Sequence, residues 1–174
     1  GSLINREELK DRLNEESLEK LLNSLDSCVR ATAKLYGGQR VEGDESTLHL
    51  CMRSNDCSKQ HLLVCLMLTY SLQQLVKQLS SRLSIKIEMT WILLGKKIAS
   101  TPIFSFHEDM AQLKKSSLDQ AAKLNNEMIA IQTSEFSIDE LSTIARFNHL
   151  EENCFSLKAF PIERQELLNR QIAH

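Results

Sequence analysis

Apolar residues at helical spacing dominate the first third of the chain. Leu18, Leu21, Leu22, Leu25, Val29 and Ala33 recur three and four positions apart, which predicts an amphipathic helix with one face in a core. Asn14 is its expected cap, with Glu15 and Glu16 placed where acids favour the positive end of the helix dipole. Gly37-Gly38 is the expected stop, just after Tyr36. Upstream, Asn5 with Glu8 three residues later predicts a capping box and an earlier helix start.

The period then changes. Gln39 to Glu42 and Thr47 to Met52 read as short strands around Gly43-Asp44, with Leu48 and Leu50 alternating against His49 and Cys51. A helix from Ser58 to Arg82 follows, apolar almost all round between Leu62 and Leu72 and so expected to be deeply packed. Ile85 to Leu94 is β-branched and aromatic and predicts a long strand ended by Gly95. Lys96 to Ser116 has no period and reads as a surface excursion. A helix over Ser117 to Asn126 and a strand over Met128 to Gln132 come next. Ser137-Ile138-Asp139-Glu140 is a second capping box, Ala145 to Leu150 and Cys154 to Phe160 a closing hairpin, and Pro161 the first turn of a last helix through Ile172. Short hairpin-linked strands mixed with helices predict an α+β fold, a mainly antiparallel sheet with helices packed on it.

Composition narrows the function. The 174 residues suit one domain, and 42% hydrophobic with 25% charged residues is ordinary for a globular protein. A net charge of −2 without any basic stripe argues against nucleic acid, whose binders neutralise phosphates. Five cysteines, an odd number without a C-x-x-C, suit reduced thiols and a cytoplasmic setting. The most apolar run, Leu62 to Leu68, is far short of the roughly 20 residues of a membrane span, so no membrane contact is expected of this segment. Gly1-Ser2 reads as the scar of a cleaved expression tag, leaving residues 3–174 as one domain.

Two motifs carry the chemistry. Gly37-Gly38 is followed by Gly43-Asp44 in the hairpin, and Leu118-Asp119-Gln120-Ala121-Ala122-Lys123-Leu124 lies on a later helix. In this order they resemble the catalytic domain of class III nucleotide cyclases, which implies a ferredoxin-like, palm-type sheet. In that family two aspartates hold two Mg²⁺ ions that activate the 3′-hydroxyl and neutralise the triphosphate. The resemblance assigns Asp44 to the second of them. It puts Asp119 where an Asn orients the ribose, and Lys123 where an Arg stabilises the phosphorus centre. An Asp there repels phosphates, and a Lys lacks the guanidinium fork. The first metal aspartate belongs to a Phe-x-Asp-Ile strand; no such motif occurs here, and that strand is expected to be truncated or missing.

Glu42-Gly43-Asp44-Glu45 also resembles the Gly-Gly-Asp-Glu-Phe signature of diguanylate cyclases, with Glu42 in place of the Gly that lets the nucleotide approach. A narrower resemblance joins Leu35-Tyr36-Gly37-Gly38 to the tail Cys154-Phe155-Ser156-Leu157 through Leu167-Leu168-Asn169-Arg170-Gln171. It is similar to the cytosolic domain of bacterial inner-membrane proteins affecting haemolysin expression. These resemblances imply a degenerate cyclase domain, not an enzyme and without a cofactor. It would serve as a regulatory module that contacts a protein partner or a second copy, in a parent anchored in the bacterial inner membrane. The alternative is a sensor that binds a nucleotide without turning it over.

Other candidates carry blander readings beside them. His49, Cys51, Cys57 and His61 have a spacing that zinc could use, but small core thiols and edge histidines explain the same residues. Cys154 has only His149 as a neighbouring base and reads as a buried thiol, and Trp91 reads as a core residue.

Overall fold

The computed structural model describes residues 1–41, 47–54, 58–95, 115, 124 and 127–172. Strand β1 (Ser2–Leu3) leads into α1 (Arg6–Arg12) and α2 (Glu15–Leu35), then the hairpin strands β2 (Gln39–Val41) and β3 (His49–Cys51). Helix α3 (Lys59–Leu83), β4 (Met89–Leu94) and β5 (Ile129–Gln132) follow. The chain closes with α4 (Ile138–Ser142), the hairpin β6 (Arg146–Glu151) and β7 (Cys154–Ala159), and α5 (Ile162–Ile172).

Among the described residues, five strands form one sheet in the order β1-β4-β5-β7-β6. Its pairings are antiparallel except β4 with β5, which are parallel, with Trp91 opposite Ile129 and Leu94 opposite Gln132. A parallel pair needs a long crossover, and the chain between residues 95 and 128 supplies it. The β2–β3 hairpin joins this sheet through β1. Ser2 bridges Thr47, the Leu48 N–H donates to the Gly1 carbonyl at 2.7 Å, and the Gly1 amine donates to the Leu48 carbonyl at 2.8 Å. The fold is therefore α+β with a mostly antiparallel palm-type sheet, as the element pattern predicts. The first strand is present in two-residue form rather than missing.

Helix ends follow their residues. The Asn14 side chain accepts the Ser17 N–H at 2.8 Å, Ser58 accepts that of His61 at 3.2 Å, and Ser137 with Glu140 makes both bonds of a capping box. At the end of α2, Gly38 N–H donates to the Ala33 carbonyl and Gly37 N–H to that of Lys34, with Gly37 at φ 75°. This Schellman arrangement requires a left-handed residue, so glycine stands there.

Two expectations change. Asn5 precedes α1 but its side chain makes no capping bond; it reaches Lys86 and Glu88, just before β4, instead. The central strand begins at Met89, not Ile85. Ser84 ends α3 in the left-handed region (φ 53°), Ile85 N–H caps the Ser80 carbonyl, and Ser80 Oγ bonds the Ile85 carbonyl and the Ile87 N–H. The cap consumes the backbone groups that a strand ladder needs.

The core lies where α2 and α3 meet one face of the sheet. Leu18, Leu21, Leu25 and Val29 of α2 and Leu63, Leu66, Leu72 and Val76 of α3 pack with Leu3, Met89, Trp91, Ile129 and Ile131. Each fully buried leucine contributes about 2 kcal/mol of hydrophobic stabilisation. Thr90, Ala130 and Ser156, on the opposite face, are buried as well. Helix α3 is packed more narrowly than its composition predicts, because Leu62, Val64, Cys65 and Met67 stay half-buried. By length and composition it is the one helix among the described residues that could cross a membrane (mean hydropathy 1.2), and here it packs against α2, β4 and α5. Tyr70 ties α3 to α5, donating to Asn169 Oδ1 at 3.1 Å and stacking edge-on against Phe160.

Candidate functional site

Where β1, α1 and α2 converge on the hairpin, they leave a cleft of about 750 Å³. The antiparallel bridge from Ser2 of β1 to Thr47, just before β3, lies on one side of it, and the apolar stripe of α2, continued beyond its buried turns by Leu22, lines the other. Leu13, Leu18, Leu22 and Leu48 make an apolar floor, with Arg6, Lys10, Glu15, Glu19, Asp26 and Arg40 around it.

A three-member ion network holds one side. Arg40 Nε donates to Asp26 Oδ1 at 2.8 Å, and Arg30 Nε donates to Oδ2 of the same carboxylate at 2.5 Å. The Arg40 side chain is only 9% exposed and also donates to the carbonyls of Val41 and His49, so it locks the hairpin onto α2. Burial alone raises the Asp26 pKa, but the bonds from Arg30 and Arg40 outweigh it and hold the carboxyl below its ordinary value. The Gly1 amine, donating to Leu48 in the same region, is pushed down to about 5 by burial, with repulsion from Arg40 added.

The three residues assigned by the cyclase resemblance, Asp44, Asp119 and Lys123, lie outside the described residues. So does Cys57 of the zinc candidates. Of the others, His49 Nε2 is 3.0 Å from Thr47 Oγ1, Cys51 ends β3, and His61 Nε2 is 3.8 Å from the Cys65 sulfur. Burial, with the nearby Cys51 thiol, pushes the Cys65 thiol up to about 11 against its own backbone bond. Among the described residues no three His, Cys, Asp or Glu side chains converge to hold a metal. Cys154 is a buried thiol, not a disulfide, and His149 packs its ring on Phe155, 5.5 Å between centroids.

Strand β1 and the turn into α1 read Ser2-Leu3-Ile4-Asn5. The Asn5 side chain is spent on the segment that leads into β4: Nδ2 donates to the Lys86 carbonyl at 2.8 Å and Oδ1 accepts the Glu88 N–H at 3.0 Å. Sequence reasoning missed the Arg40 network and the cleft. Asp26 with Arg30 is legible as a helical i, i+4 pair, but nothing local shows that Arg40 reaches back from the hairpin.

No protein-family model matches this chain, and no curated protein matches it. A solved structure does resemble it: the monomeric crystal structure of a double mutant of the guanylyl cyclase domain of the RhoGC fusion protein from the aquatic fungus Blastocladiella emersonii. The two superpose with a TM-score of 0.65 at 12% identity, covering 92% of this chain and 92% of that one. The fold is that of a nucleotide cyclase domain.

Proposed function

We propose that this chain is a cyclase-fold domain that acts by protein contact and not by turnover, as a regulatory module or a homodimer. The observation that carries the reading is residue identity at Asp119 and Lys123, which stand at the positions the resembled family gives to an Asn and an Arg: an Asp there repels phosphates, and a Lys lacks the guanidinium fork. The parent is a bacterial protein anchored in the inner membrane, a part of the reading that rests on Leu35-Tyr36-Gly37-Gly38 and the C-terminal motif.

Thermal-shift measurements with ATP, GTP and cyclic nucleotides, each with Mg²⁺ or Mn²⁺, test it. The contact reading predicts no shift. A metal-dependent shift that disappears in Asp44→Ala would replace it with a nucleotide-binding domain. Sedimentation across a concentration series tests the homodimer separately, since a monomer at every concentration leaves only a heterologous partner.

A further inference from the structure

Resting on the protein-contact reading, we propose that the cleft between α1, α2 and the Thr47-Leu48 segment before β3 receives a basic amphipathic segment of a partner protein. The floor supplies the apolar half of the argument. Leu18 and Leu22, one turn apart on α2, lie beside Leu13 and Leu48 in a cleft of about 750 Å³, large enough for several side chains of a docked helix.

The rim supplies the charge. Its cations are already engaged: Lys10 donates to Glu7 at 2.9 Å, Arg40 to Asp26 at 2.8 Å, and Arg6 has a partner of its own. Its carboxylates are not all engaged. Glu15 and Glu19, exposed and one turn apart along the cleft edge, make no ion pair or hydrogen bond among the described residues. An occupant with leucine-like side chains on one face and lysine or arginine beside them satisfies both features. A phosphate-bearing or acidic ligand meets two uncompensated carboxylates and is disfavoured. A rim of this kind steers the encounter and sets orientation, while the leucines supply most of the contact energy.

The test uses the full chain and a fluorescent helical peptide of about 14 residues built from Leu and Lys, with a Leu/Glu peptide of the same pattern as control. Anisotropy is expected to show saturable binding of the Leu/Lys peptide alone. Glu15→Gln with Glu19→Gln, which keeps side-chain shape, should weaken it by about tenfold. Glu163→Gln with Glu166→Gln, on the distant face of α5, should change it by less than about twofold. Leu22→Lys, placing a cation on the floor, should abolish it while circular dichroism stays unchanged. Absence of saturable binding overturns the proposal, as does equal weakening by the two glutamine pairs, which marks general attraction. Either result leaves the contact reading standing if nucleotides still give no thermal shift. A metal-dependent shift lost on Asp44→Ala removes that reading whatever the peptide does.

Discussion

The side chain of Asn5 accepts the backbone N–H of Glu88 at 3.0 Å, a bond that spans 83 residues and lies inside the protein. It fixes the turn between β1 and α1 against the start of β4. Asn5→Ala leaves that N–H buried without its acceptor and should destabilise the fold by about 1–3 kcal/mol in urea unfolding. Glu8→Ala, the damaging change if Asn5 and Glu8 formed a capping box, should cost no more than about 0.5 kcal/mol. The reverse ranking would restore the capping box.

Ser84 sits at φ 53° as the left-handed residue ending α3, with its side chain exposed. A glycine adopts this conformation without the Cβ penalty, which outweighs its greater freedom in the unfolded chain. Ser84→Gly should stabilise the protein by about 0.5–1 kcal/mol, read as a higher thermal midpoint. A loss of stability would show that the Ser84 side chain does more than tolerate the turn.

Asp26 holds Arg30 and Arg40 together, and its pKa is depressed. A depressed carboxyl contributes stability that is present above its unfolded pKa and is lost as pH falls through the folded one. Asp26→Asn should therefore cost about 1–2 kcal/mol at pH 7, a figure kept low because Asp26 is partly exposed. The gap between the two proteins should close as pH falls below the ordinary aspartate range. A gap that persists unchanged in acid would mean that shape, not charge, sets the cost.

Local rules made much of the fold legible. Asn14, Ser58, Ser137 and Gly37 mark helix ends because capping is decided within a few residues, and the α2 leucines mark a core face because helical spacing is local. The parallel pairing of β4 with β5 was not legible, since it joins strands across a long crossover. Nor was the role of Asn5, whose acceptor and donor both lie on the far side of α3 in sequence. The cleft is invisible for the same reason: Leu22, Leu48 and Arg40 meet only after the hairpin docks on β1. Asp44, Asp119 and Lys123 were set against a family motif by residue identity alone, and they lie outside the described residues.

The central claim is a cyclase fold without cyclase turnover, and a product assay addresses it directly. The protein is incubated with ATP or GTP and Mn²⁺ or Mg²⁺, and cyclic nucleotide and pyrophosphate are quantified by chromatography over hours at high protein concentration. The account predicts no product above a protein-free blank with either nucleotide and either metal. Steady, metal-dependent formation of a cyclic nucleotide, abolished by Asp44→Ala, would contradict it.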